Sequence, residues 1–282
     1  MSSAILRNDD FESATAASRR IGAWKSSAWE DFRAIINDPA FPCFFASSAD
    51  KRGSLRYCFI EDPRSETDLR LLGNAVTEYL EEVREIEERS VTDAAFQILI
   101  VFVKTPQPIS LEDEQTQGWE ILSRLHLLDS KPWPKHVATD PEDTKWSFCW
   151  DGVPLFVNIS ASAHKRRKSR RLGRHLALVI QPRDAFDSIA GNTPSGRKLR
   201  EKIRKRIKPY DGVSACPLLG TYGESGSLEW LQYAIPDQNG PLSEDSRCPF
   251  VGLVEKYRRL QHQARSYIRT RYEDLKSRRA IA

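Results

Sequence analysis

The sequence predicts an α+β domain, a mixed and largely antiparallel sheet of four to six strands covered by long helices. Three observations lead there. Residues 145–150 and 153–160 are apolar runs separated by Asp151-Gly152, a pair suited to the left-handed positions of a two-residue hairpin. A tight hairpin makes at least part of the sheet antiparallel. Long helical patterns lie between and after the strands without strict alternation, which favours α+β over a doubly wound sheet. A long irregular C-terminal region, 208–247, is rich in Gly, Pro and Ser. Such loops inside a domain usually carry function.

Taken in order, residues 1–20 are polar and Ala/Ser-rich and are expected to form a flexible N-terminus, leaving 21–282 as one domain. Over 21–37, Trp24, Trp29, Phe32, Ile35 and Ile36 fall near one helical face, and Pro39 ends that helix. In F-P-C-F-F-A (41–46), Pro42 predicts an extended or turn conformation between aromatics that seek burial. Residues 55–61 read as a strand. Ser65 suits the cap of a helix to about 88, with Leu69, Leu72, Val76, Leu80, Val83 and Ile86 recurring at three and four. Residues 96–103 are a near-continuous apolar strand of the kind buried on both faces. Ser110, followed by Glu112, Asp113 and Glu114, opens a helix to about 128, and 131–137 is a rigid loop. After the hairpin come a strand at 176–181, a basic helix at 194–207 and a final helix at 252–276.

Composition narrows the classes. The 282 residues include 7 Trp, 12 Phe and 8 Tyr, which argues against disorder. The net charge of +4 is modest, so clustered rather than total charge would draw an anionic partner. Five cysteines (43, 58, 149, 216 and 248) are widely spaced with no C-x-x-C pair, which excludes a zinc ribbon or a disulfide framework. No signal-peptide core or membrane-length apolar run is visible, and the expected location is cytoplasmic.

The chemistry concentrates in residues 158–182. A small-residue loop carries His164 between two apolar runs, and a dense basic cluster follows, including Arg166, Arg167, Arg170, Arg171 and Arg174. No two histidines stand at i,i+4, so a multi-histidine metal site is not indicated. A single His suits haem, whose macrocycle supplies four ligands, although a lone His more often simply packs. The arginines could pair with carboxylates or phosphates. The bland reading is a solvated basic loop, and the rival functional one is a nucleic-acid patch. Against nucleic acid, the cluster lacks interleaved aromatics and no binding motif is recognisable. Cys43 and Cys248 have Pro neighbours; either thiolate could ligate haem, but a small buried residue is the commoner role. Glu229-Trp230 and Asp237 lie in the irregular region. A buried carboxylate beside an aromatic is a good seat for a guanidinium, and an ordinary surface carboxylate is the alternative.

Several segments together resemble the YqcI/YcgG family: H-K-R-R-K-S-R-R-L-G (164–173), L-V-I-Q-P-R-D-A-F-D (178–187), F-P-C-F-F-A (41–46), W-S-F-C-W-D-G-V-P-L-F-V-N (146–158), the stretch 200–212, E-W-L-Q-Y (229–233) and C-P-F (248–250). The loop before His164 departs from the family's usual Ser-Pro, reading Ser160-Ala161-Ser162-Ala163. The resemblance implies a haem-dependent oxygenase that N-hydroxylates the guanidino group of L-arginine or a related amine or guanidine, using O2 and an external electron donor. It implies haem b on His164, with Cys43 as the reserve ligand, and propionates held by Arg167, Arg170 and Arg171. Phe41, Phe44, Phe45 and Trp146 would wall the pocket. Glu229 with Trp230 would seat the guanidinium, with Asp237 and Asp211 behind them, and Arg183 would meet a substrate carboxylate. A homodimer is compatible with this reading. The alternative from another class is a non-enzymatic basic protein that grips a polyanion through residues 165–174.

Overall fold

The computed structural model describes residues 4–12, 21–241 and 246–281. Strands β1 (Leu55–Ile60), β2 (Ile98–Val103), β3 (Phe148–Trp150), β4 (Val153–Ser160) and β5 (Leu176–Pro182) form one sheet in the order β1-β2-β5-β4-β3. β1 and β2 are parallel, and the other pairings are antiparallel. The helices are α1 (Asn8–Glu12), α2 (Ala23–Ile36), α3 (Phe44–Lys51), α4 (Glu66–Glu87), α5 (Val91–Ala94), α6 (Leu111–Leu128), α7 (Arg183–Ala190), α8 (Pro194–Asp211), α9 (Trp230–Tyr233) and α10 (Pro249–Ile281). The architecture is α+β. No helix among the described residues is long and apolar enough to cross a membrane.

Local chemistry accounts for most of these boundaries. Asp151 and Gly152 sit at φ 52° and 75°, the left-handed pair that a tight hairpin requires between β3 and β4. Ser65, Ser110 and Thr193 cap α4, α6 and α8, each accepting from a backbone N–H three residues on. The parallel β1–β2 pair needs a crossover, which α4 and α5 supply.

Strand alternation divides the interior in two. Cys58, Ile60, Leu99, Val101, Val103, Leu155, Val157, Ile159, Leu176, Leu178 and Ile180 face α4, α6, α9 and the start of α10. Leu55, Tyr57, Phe59, Ile98, Ile100, Phe102 and Ala177 face α2, α3 and Phe41. Glycines let the first region close tightly. A Cβ at Gly118 would lie 2.6 Å from Ile159, and one at Gly73 would lie 2.8 Å from the Trp150 ring.

The structure departs from the sequence reading in four places. Residues 4–12 are not frayed: Ile5 is buried, Leu6 bridges to Tyr57, and Asn8 accepts from the Trp29 indole and the Tyr57 hydroxyl and donates to Asp50. The rest of 1–20 lies outside the described residues. After the bend at Pro42 and the extended N-cap Cys43, Phe44 opens the unexpected helix α3, because a proline does not hinder a helix that starts after it. β5 runs directly into α7 at Pro182, with no linker to announce a new element. α8 continues four residues past the expected end, and left-handed Gly212 stops it.

Candidate active site

A cavity of about 240 Å³ opens between the second face of the sheet and α2, α3, α7 and α8. Its floor follows from alternation in β4 and β5: Leu155 and Val157 turn to the packed side, while Phe156, Asn158, Val179 and Gln181 turn to the cavity. Phe32, Phe41, Phe45, Phe186 and Tyr222 add apolar wall. α8 contributes Arg200, Ile203, Arg204 and Ile207, one helical stripe at i, i+3, i+4 and i+7.

Arg183 and Glu229 meet in this cavity as a buried ion pair, Arg183 Nη2 donating to Glu229 Oε1. The other Glu229 oxygen accepts from Gln232 Nε2 at 3.1 Å. The Arg183 guanidinium lies 4.6 Å from the Tyr222 ring centre and 5.3 Å from that of Phe156, within cation–π range. Its Nη1 is 3.7 Å from Asp187 Oδ1. Burial holds the carboxyls of Asp187 and Asp211 above the usual carboxylate range.

The basic cluster is split rather than continuous. Arg167 turns inward, its guanidinium donating to the carbonyls of Pro236 and Ser214 and to Asn239 Oδ1. Arg170 lines the cavity, and burial pushes its pKa down to about 10; its Nη1 has no hydrogen-bond partner among the described residues. Ser169 donates its N–H and hydroxyl to Asp211. Arg174 is tied to Asp31. Lys165, Arg166, Lys168 and Arg171 of the run are exposed, so the strip invoked by the alternative polyanion reading is interrupted by inward Arg167 and Arg170.

His164 is buried, and its loop is held from two sides. Glu114 of α6 accepts from the Ala163 N–H at 2.9 Å. Asp237 accepts from the N–H groups of residues 165, 166 and 167 and lies 3.1 Å from His164 Nδ1. Burial lowers the His164 pKa to about 4, so the imidazole is neutral near pH 7. Burial pushes Asp237 up, but the Arg167 and Arg166 amides and the His164 ring outweigh it and hold it below the ordinary range. His164 Nε2 is buried and has no partner among the described residues.

The expected site residues therefore sort themselves by place. Glu229, Asp211, Arg167, Arg170, Arg183, Phe41, Phe45 and Cys43 line the cavity. Trp146 and Trp230 do not, because their rings belong to the packed face; Trp146 stacks on Trp133 and meets Tyr233 tilted and Phe250 edge-on. Phe44 points away from the lining, under the Lys202 ammonium. Arg171 is exposed, one position out of phase with inward Arg170. Asp237 organises the His164 loop instead of facing the cavity. His164 stops short of the lining, at the root of the loop that sends Arg167 and Arg170 into it. Asp187, Arg200, Arg204, Phe156, Tyr222 and Gln232 were not anticipated. The helical stripe at 200, 203, 204 and 207 was the one local signal that could have found the α8 pair.

The side chains present suit haem in donor chemistry. The cavity walls are apolar and Arg170 carries an unused N–H there, while behind the lining His164 offers an unpartnered nitrogen on a ring steadied by the Asp237 carboxylate, as metal-binding imidazoles usually are. Cys43 also lines the cavity, but burial raises its thiol, which disfavours the thiolate. Among the described residues, no group of three or more His, Cys, Asp or Glu is placed to hold a metal ion unaided.

The YqcI/YcgG family model matches residues 32–251. The chain is 40% identical over 232 residues to a Streptomyces lavendulae protein named "Putative N(omega)-hydroxy-L-arginine synthase DcsA", covering 82% of this chain and 85% of the other. It is 32% identical to YcgG and 31% identical to YqcI of Bacillus subtilis strain 168, over 84% of this chain in each case and 92% and 91% of theirs. No solved structure matches it. With the match spanning the sheet, the cavity and the loop of His164, this protein belongs to the YqcI/YcgG family.

Proposed function

We propose that this protein is a haem-dependent monooxygenase that N-hydroxylates the guanidino group of a small substrate such as L-arginine. The observation that carries the reading is Glu229, a carboxylate 1% exposed at the wall of an aromatic cavity, already bound to a guanidinium. The name of the Streptomyces relative points to the same substrate chemistry.

Glu229 and Gln232 would orient the guanidino group by charge-assisted hydrogen bonding, with the Tyr222 and Phe156 faces stacked beside it. Orientation decides which nitrogen reacts. The apolar walls exclude water and strengthen each of these contacts. Burial raises the carboxyls of Asp187 and Asp211, so either would keep a proton in the cavity to a higher pH than an exposed carboxylate. Haem would be held by His164 Nε2, with Arg170, whose Nη1 is unused, facing one of its carboxylates, and would supply the oxidising power. In the net reaction one oxygen of O2 enters an N–OH bond and the other leaves as water. An external donor provides two electrons, and two protons are consumed.

The test is the absorption spectrum of protein loaded with haem, as wild type, His164→Ala and Cys43→Ala, with and without dithionite and CO, alongside mass spectrometry of products from L-arginine. The expected result is a Soret band lost or shifted only in His164→Ala and a product heavier by one oxygen. A wild type that takes up no haem, or that turns over no guanidine when loaded, sinks the reading. A band altered in Cys43→Ala instead moves the ligand to Cys43.

A further inference from the structure

The carboxylate that would receive a substrate guanidinium already holds one from its own chain. Arg183 is the first residue of α7, and its side chain is 4% exposed. Its Nη2 donates to Glu229, its Nη1 is 3.7 Å from Asp187, and its Nε is buried without a partner among the described residues. Tyr222 and Phe156 flank the guanidinium, and Gln232 occupies the second Glu229 oxygen. A buried carboxylate, an amide and two aromatic faces make a complete guanidinium receptor, and all of them line the cavity.

We propose that Arg183 is a resident stand-in for the substrate: an incoming guanidinium displaces it from Glu229, and Arg183 moves onto Asp187, turning its fork toward a substrate carboxylate. This rests on the guanidine reading of the site above. The physical case has two parts. Two guanidinium groups on one buried carboxylate would repel each other in a low-dielectric cavity, so they compete. An empty site without Arg183 would leave Glu229 buried and uncompensated, which is strongly unfavourable. Arg183 therefore keeps the vacant site neutral. Only a cation of the same shape replaces it well, so a neutral urea such as citrulline is rejected. Competition also lowers the apparent affinity for the true substrate.

The test is thermal unfolding of wild type, Arg183→Ala and the double variant Arg183→Ala/Glu229→Gln in low-millimolar guanidinium chloride, against sodium chloride at equal ionic strength. The expected result is a saturable rise in Tm for Arg183→Ala alone. No rise, or an equal rise in the double variant, overturns the proposal. A second measurement needs no stable variant at that position. In the wild type, the Arg183 Nε–H resonance, assigned by its loss in Arg183→Lys, should shift as L-arginine saturates the site; a resonance that stays put with arginine bound overturns the proposal. The two readings fail separately. If Arg183→Ala takes up guanidinium while loaded wild type oxidises no guanidine, the oxygenase reading falls and the stand-in survives. If wild type oxidises arginine while Arg183→Ala ignores guanidinium, the stand-in falls.

Discussion

The two faces of one sheet are built from the same strands and filled in opposite ways. Toward α4 and α6, the inward strand positions are apolar apart from Arg56, which pairs with Glu82 of α4, and glycines at 73 and 118 let helix and strand side chains interlock. Toward α7 and α8, β4 and β5 offer Asn158 and Gln181 in the same alternation, and the facing helices bring arginines. One face closes and the other stays hollow. The strand period alone does not decide which face becomes a site; the size and polarity of what each helix presents does.

The largest effects should separate the two faces. Leu122→Ala on the filled face is expected to cost about 2–5 kcal/mol in urea unfolding, because a fully buried side chain leaves a cavity behind. Phe186→Ala removes more atoms but borders existing space, so it should cost less; an equal loss would break the contrast. Glu229→Gln should weaken L-arginine binding by about 10- to 100-fold in calorimetry, the share of a charge-assisted hydrogen bond. Unchanged affinity would remove Glu229 from the site. Gly118→Ala should cost about 1–3 kcal/mol through collision with Ile159 Cγ2, and the double variant with Ile159→Ala, which removes that atom, should lose less than the two single losses added together. Full stability in the single variant would mean that the filled face has slack.

The smallest effect is a pH slope. Burial, and then the Arg258 charge, lower the pKa of His126, which sits against the Trp133 and Phe250 rings. The unfolded chain takes the proton first, so the stability from neutral His126 is present above about pH 6.5 and is lost as pH falls through that value toward the folded one. His164 and His175 shift in the same direction and add to the slope. Asp187 and Asp211 run the other way: their folded values are raised, so they favour folding as acid is added and cost stability as pH rises through those values. His126→Gln should flatten the denaturation slope between pH 7 and 5. An unchanged slope would mean that the ring is wet.

Much of the fold was legible because its signals are local. Ser65 and Ser110 cap where their spacing says they should, and Asp151-Gly152 turns where a hairpin must turn. α7 was not: its apolar residues 185, 186, 189 and 190 do stand at helical spacing, but eight residues joined directly to a strand, with no breaker between, leave only about two turns in which that period can show. At the site, Glu229 and Arg183 stood out one at a time. Their pairing spans 46 residues and leaves no trace in sequence spacing. Aromatic character makes Trp146 and Trp230 pocket candidates, but it carries no information about which side of the sheet a ring takes. Arg170 and Arg171 show the same limit: adjacent, alike, and separated only by the phase of a loop.

Asp237 has a consequence for dynamics. Its carboxylate gathers three successive amides from a segment about seventy positions earlier in the chain, so that segment and the one bearing Asp237 can loosen only together. The exchange rates of the 165, 166 and 167 amides are thus a built-in gauge of how often the wall behind His164 comes undone. In Asp237→Asn those amides should exchange faster, while those of β2, an interior strand of the sheet, keep their own pace.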